Sequence, residues 1–74
     1  MARIEKLIRK MKNRPNGISF DEIAKALNYH GYILVRKNGS HRNFRNASGD
    51  VIIIKESNPV KAVYVKDVLA RIGE

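Results

Sequence analysis

The dipeptide Asn38-Gly39 constrains this chain more than any other feature, because it separates a run of β-branched and aromatic residues at 32–37 from a second predicted strand. Asn-Gly between two strands is the strongest short-range signal of a β-hairpin. With Asn38 and Gly39 as the two turn residues, the register is fixed. It places Lys37 opposite Ser40, Arg36 opposite His41, Leu34 opposite Asn43, and Ile33 opposite Phe44.

This register divides the predicted hairpin into two faces, because directly paired residues share a face of the sheet. The face that we expect to be buried holds Ile33, Val35 and Phe44. The other face holds Arg36, His41, Asn43 and Arg45. The face predicted to be open is therefore basic and carries a histidine.

Two amphipathic helices are predicted before the hairpin. In the first, the apolar residues with helical spacing are Ile4, Leu7, Ile8 and Met11. Ser19 and Glu22 have the spacing of a capping box, so the second helix should begin at Phe20 and close at Gly31. Its predicted buried stripe is Phe20, Ile23, Ala24 and Leu27.

The rest of the chain predicts one more strand and one more helix. Residues 47–50 have the composition of a turn, and the apolar run at 51–55 predicts a strand without showing which isoleucines are buried. Helical spacing returns at Val65, Val68, Leu69 and Ile72. We expect an α+β fold of order α-α-β-β-β-α, with helices packed on one face of a three-stranded antiparallel sheet. It should form a single domain over residues 1–74, with an N-terminal helical extension at 1–14 and a core at 20–73.

Charge and composition limit the classes of function. The chain has 15 Lys and Arg against 7 Asp and Glu, a net charge of +8 on 74 residues, which favours a polyanion and, above all, nucleic acid. The absence of Cys excludes disulfides, Cys-ligated zinc and thiol nucleophiles. No apolar run approaches the ~20 residues of a membrane span, and no secretory signal is present, so we expect a cytoplasmic protein without a membrane partner.

The environment of His41 predicts a phosphodiester site. An imidazole can accept or donate a proton near neutral pH, and flanking cations bind phosphates and offset the charge that develops during phosphoryl transfer. In RNA the 2′-hydroxyl can serve as the nucleophile, so such a site requires no metal and no cofactor. The residues alone leave open a structural role, or one in RNA contact only, for His41.

Residues 27–44 resemble the HicA family of toxins, whose members share a helix ending in Gly plus an aromatic residue, a strand, and a Gly-Ser-His motif. The corresponding residues here are Gly31-Tyr32 and Gly39-Ser40-His41, and the similarity extends through 49–54 and 65–73. The resemblance implies a double-stranded-RNA-binding-domain-like fold. It also implies a ribosome-independent endoribonuclease that acts on mRNA, with His41 as the catalytic residue. Arg42 stands where the family often has a second histidine.

The predicted site gives His41 the role of general base or acid, and Ser40 that of orienting the phosphate or the imidazole. RNA contacts are expected at Arg36, Lys37, Gly39, Ser40, Arg42, Asn43, Arg45 and Lys55. The resemblance also implies inhibition by a HicB-type antitoxin, which the basic charge predicts to be acidic. We expect a monomer that forms a hetero-oligomer with this antitoxin.

Two other functions remain open from the sequence. The same basic face could serve a non-catalytic module that binds structured RNA. Residues 15–27 could also belong to a helix-turn-helix DNA reader, which ranks last because no second polar helix precedes Gly31.

Overall fold

The computed structural model describes residues 2–73, so Met1 and Glu74, the ends of the predicted domain, lie outside the described residues. Its elements are α1 (Ala2–Asn13), a 3-10 turn (Pro15–Gly17), α2 (Phe20–Tyr29), β1 (Ile33–Asn38), β2 (His41–Arg45), β3 (Val51–Lys55) and α3 (Ala62–Arg71). The strands form one antiparallel sheet in the order β1-β2-β3. The predicted α+β class and element order are confirmed. No helix within residues 2–73 has the length and apolar content needed to cross a bilayer.

Helix α2 begins at Phe20 because the predicted capping box forms. The Ser19 hydroxyl accepts a hydrogen bond from the backbone N–H of Glu22, and the Glu22 carboxylate accepts one from the backbone N–H of Ser19. Lys10 on α1 also donates to this carboxylate, at 2.7 Å. The Lys10 hydrogen bond, followed by that from Ser19, holds the pKa of Glu22 below its usual value. One carboxylate therefore caps α2 and joins it to α1.

Helices α2 and α3 pack on one face of the sheet, and α1 packs against α2, α3 and the 3-10 turn. The largest fully buried side chains are Met11, Ile18, Ile23, Leu27, Phe44, Ile52, Ile54, Val60, Val65 and Val68. The rings of Phe20 and Phe44 lie 6.2 Å apart and join α2 to the middle strand. Ile52 and Ile54 are buried whereas Ile53 is 48% exposed, which settles the facing of β3. The arrangement is compatible with the double-stranded-RNA-binding-like fold that the resemblance implies.

The hairpin turn lies one residue beyond its predicted position. Asn38 is opposite His41, so the turn residues are Gly39 and Ser40. Gly39 has a φ of 62°, and no non-glycine residue in the described chain has a positive φ, which matches a type II′ turn with glycine first. The predicted pairs are therefore wrong. The observed pairs are Lys37 with Arg42, Arg36 with Asn43, Leu34 with Phe44, and Ile33 with Arg45.

The predicted burial of Ile33 and Val35 is also wrong, because they are 60% and 52% exposed and only Phe44 of that set is buried. Moving a two-residue turn by one position shifts the pairing by two residues, which leaves the alternation of faces near the turn unchanged. A β-bulge between Leu34 and Arg36 then adds one residue to β1. This extra residue reverses the faces of Ile33 and Leu34.

Candidate nucleic-acid interface

The face of the sheet that points away from the helices, here called the open face, consists of three rows of paired side chains. The rows are Asn38-His41-Lys55, Arg36-Asn43-Ile53 and Ile33-Arg45-Val51. Cβ atoms of directly paired residues lie about 4.5–5.5 Å apart. The nine residues include one histidine, three cations and no carboxylate. The two rows nearest the turn carry His41, Lys55 and Arg36, so this end is basic, whereas the row farthest from the turn has Arg45 between the aliphatic Ile33 and Val51.

The structure brings five of the predicted site residues together on the open face. They are Arg36, His41, Asn43, Arg45 and Lys55. His41 opens β2, is exposed, and has Lys55 of β3 as its direct partner across the ladder. Asn43 lies two residues further along the same strand, on the same face. Gly39 and Ser40 form the turn immediately before His41.

Asn38 was missed by the sequence analysis, although it is the cross-strand partner of His41 on β1. The Asn-Gly rule placed it inside the turn, where it would not have shared a face with the histidine. Gly39-Ser40 is itself a Gly-X pair of the kind that type II′ turns use, and this signal could have found the correct position. Asn38 adds an amide, which can donate and accept hydrogen bonds, beside the imidazole.

Lys37 and Arg42, two predicted RNA contacts, lie on the opposite face of the sheet from His41. The Arg42 guanidinium is 2.6 Å from the Glu56 carboxylate and donates to the carbonyl of Gly39 at 2.6 Å. The backbone N–H of Glu56 donates to the carbonyl of Ser40 at 2.7 Å. Arg42 and Glu56, here called the clasp, thus hold the turn from behind.

A second polar network fixes the other end of the sheet. The Tyr32 hydroxyl donates to Asp50 at 2.5 Å, and Arg71 of α3 donates to both carboxylate oxygens of Asp50 at 3.0 Å and to the carbonyl of Val51 at 2.9 Å. The Tyr32 hydrogen bond, followed by Arg71, holds the pKa of Asp50 below its usual value. The same bond raises the pKa of Tyr32, and Asp50 raises that of Arg71.

This geometry suits an extended polyanion. A chain of phosphates can contact Lys55, Arg36 and Arg45 across successive rows while one phosphodiester lies against His41. The face is shallow and exposed, so chemistry on it could draw only on the position of the imidazole and on the surrounding positive charge, and little on the exclusion of water. In the part of the chain that the structure describes, no three His, Asp or Glu side chains are grouped as metal ligands would be.

Comparison with known protein families gave a match over most of the chain. The family model described as HicA toxin of bacterial toxin-antitoxin matches residues 20–73. These residues include α2, all three strands and α3, and therefore the whole open face. Comparisons with curated proteins and with solved structures gave no match.

Proposed function

The chain belongs to the HicA family of toxins from bacterial toxin–antitoxin systems, and from this premise we propose that it is an endoribonuclease that cleaves mRNA. In this proposal cleavage requires neither the ribosome nor a metal ion. His41 is the catalytic residue, and the open face binds the RNA backbone.

The position of His41 is the observation that supports the proposal. Its side chain is exposed at the basic end of the open face, directly between Asn38 and Lys55. Two features are needed to cleave a phosphodiester here, a group that transfers protons and cations that stabilise negative charge on the phosphate. Both meet at this row of the sheet.

The reaction that fits these groups uses the 2′-hydroxyl of RNA as the nucleophile. The His41 imidazole takes the proton from this hydroxyl, and the 2′-oxygen bonds to the adjacent phosphorus while the bond from phosphorus to the 5′-oxygen breaks. The imidazolium returns the proton to the leaving 5′-oxygen. The products are a 2′,3′-cyclic phosphate and a 5′-hydroxyl, and Lys55 and Arg36 stabilise the phosphate oxygens.

The remaining predicted residues have supporting roles in this proposal. Ser40 and Gly39 form the turn beside His41, where the hydroxyl of Ser40 can orient a phosphate. Asn43 and Arg45 extend the binding face along β2. Arg42 and Lys37, which lie on the other face, contact RNA only if it wraps around the turn.

We further propose that an acidic HicB-type antitoxin neutralises the protein by covering the basic face. A net charge of +8 gives such a partner strong electrostatic attraction. The toxin is a monomer alone and a hetero-oligomer in the complex.

The proposed chemistry is tested by RNA cleavage with the purified full chain and with His41→Ala, both in EDTA. We expect His41→Ala to lose at least about 100-fold in rate, the range of general acid–base catalysis. His30→Ala is the matched control, because His30 is a half-buried residue that closes α2 against the Tyr29 ring. Mass spectrometry should find cyclic phosphate and 5′-hydroxyl ends, and RNA with a 2′-deoxy residue at the cleavage position should remain intact.

Three outcomes would contradict this function. Equal cleavage by His41→Ala and the unaltered chain would show that His41 is not catalytic. An absolute requirement for metal would contradict the metal-free mechanism. Salt-dependent RNA binding without any cleavage would instead establish the non-catalytic binding module.

A further inference from the structure

The two edge strands of the sheet, β1 and β3, differ in how far other parts of the chain cover them. On β3, Arg71 donates to the carbonyl of Val51, so α3 closes the start of that edge. On β1 all six residues are exposed. Between residues 2 and 73, no side chain from outside the sheet forms a hydrogen bond with the main chain of β1. The edge of β1 is therefore open to another strand.

The first half of β1 also carries exposed apolar side chains. Ile33, Leu34 and Val35 are 60%, 41% and 52% exposed. Ile33 and Val35 line a shallow depression of about 380 Å³ together with Arg45. Natural proteins usually protect free edges with charge or proline. Here only the second half of the strand carries charge, at Arg36 and Lys37.

We propose that residues 33–35 of β1 accept an extended strand from an acidic partner protein, which joins the sheet by main-chain hydrogen bonds. This is β-strand addition, in which the backbone supplies affinity and alternate side chains supply specificity. An apolar side chain of the partner fills the depression, and carboxylates beside it face Arg45 and Arg36. The inference rests on the proposed function, because it states where and how the neutralising partner binds.

Charge complementarity favours an acidic protein over a second copy of this chain, since two copies would each bring a net charge of +8. The chemistry of the edge also favours protein over RNA. The bases of single-stranded nucleic acid stack on aromatic side chains, whereas the edge at residues 33–35 presents the aliphatic Ile33, Leu34 and Val35. Aliphatic side chains beside a free main-chain edge suit a peptide strand.

The test uses the full-length His41→Ala protein, which keeps RNA cleavage out of the measurement. The probes are a panel of eight-residue peptides that alternate Val or Ile with Glu. Backbone amide shifts and hydrogen exchange are followed by NMR. We expect at least one peptide to bind, with shifts and slowed exchange concentrated at residues 33–36. Two series of N-methylated peptides are then compared, one methylated at odd and one at even positions. Only one set of N–H groups faces β1, so methylation should abolish binding in one series and leave it intact in the other.

Side-chain variants test the apolar part of the site. The double variant Ile33→Ser/Val35→Ser should weaken peptide binding at least tenfold. Val63→Ser is the matched control, because Val63 is 66% exposed on α3, away from β1, and it should leave binding unchanged. Circular dichroism of all variants verifies that the fold is retained.

Four results would overturn the inference. They are no binding by any peptide of the panel, binding in which both N-methyl series are equally active, self-association of the protein in sedimentation, and shifts at residues 33–35 caused by an RNA oligonucleotide. Loss of RNA cleavage in His41→Ala is a separate measurement, so failure of peptide binding and failure of the proposed function are distinguishable.

Discussion

Asp50 accepts hydrogen bonds from Tyr32 and Arg71, and so connects the start of β1 with the end of α3 through the turn between β2 and β3. Because its pKa is lowered in the folded state, the unfolded chain binds the Asp50 proton at a higher pH than the folded chain does. Stability from this group is present above the ordinary carboxyl pKa of about 4 and is lost as the pH falls toward the folded value.

Asp50→Asn should therefore make stability less sensitive to acid. The variant should be less stable at neutral pH, and its urea midpoint should fall less between about pH 5 and pH 2. The variant should also lose less stability than the unaltered protein as the pH rises into the alkaline range. In the unaltered protein Asp50 raises the pKa of Tyr32 and keeps the phenol neutral in the folded state. Asp21→Asn, at an exposed position at the start of α2, is the control. A pH profile for Asp50→Asn identical to that of the unaltered protein would contradict this account.

At the level of single residues, the sequence shows the chemical type of a side chain but not its spatial neighbours. His41 is the kind of side chain that transfers protons at neutral pH, and this is visible in the sequence without a structure. Its neighbour Asn38 is visible only once the register is known, because the side chains that flank a residue in a sheet come from other strands.

Among the elements, the hairpin that carries His41 depends on the clasp behind it. The Arg42 side chain contacts both Glu56 and the Gly39 carbonyl, and Glu56 returns a backbone hydrogen bond to Ser40. In our proposal Arg42 is a positioning residue, since it acts through the turn.

Arg42→Ala should lower kcat for RNA cleavage about tenfold with little change in KM, because a small displacement of a catalytic group is enough for such a loss. Arg42→Lys should rescue only part of it, since a lysine keeps the charge but cannot make the forked contacts of a guanidinium. Lys66→Ala, an exposed position on α3, controls for lost charge. A higher KM with full rescue by lysine would instead identify Arg42 as a direct RNA contact.

Helix α2 and the hairpin show why some elements are predictable from sequence and others are not. The signals that start α2 are local, since Ser19 and Glu22 bond to each other's backbone three residues apart. The register of the hairpin has no such local determinant, because Asn38-Gly39 and Gly39-Ser40 both suit tight turns. The structure has the second of these turns, and the separate bulge between Leu34 and Arg36, which sets the facing of Ile33 and Leu34, has no local sequence signal. The facing of β3 likewise depends on the helices that cover it.

At the scale of the whole molecule, the two faces of the sheet differ in kind. Its inner face carries the core, and its open face carries His41, Arg36, Arg45 and Lys55 with no carboxylate. The open face thus holds three of the fifteen basic residues with no carboxylate among its paired side chains, and α1 carries a further group of cations, of which Lys10 forms an ion pair with Glu22.

RNA binding should depend on salt through the open face. In the His41→Ala background, the slope of log K against log salt should decrease by about 0.7 for each lost phosphate contact with single-stranded RNA. Lys55→Ala and Arg36→Ala should each show this decrease in fluorescence anisotropy titrations. Lys25→Ala, on α2, should leave the slope unchanged. Equal slopes for all three variants would place the RNA elsewhere on the surface.

Buried and exposed side chains alternate along β3, so its residues fall into two groups. Ile52 and Ile54 lie in the core, whereas Val51, Ile53 and Lys55 lie on the open face. In a genetic selection for cells that survive the protein, missense changes at the first set would abolish toxicity by removing the folded protein from the cell. Changes at Lys55 would leave its abundance intact. Surviving cells with mutations in adjacent codons of β3 would thus differ in the amount of the protein, which would be low for changes at Ile54 and normal for changes at Lys55.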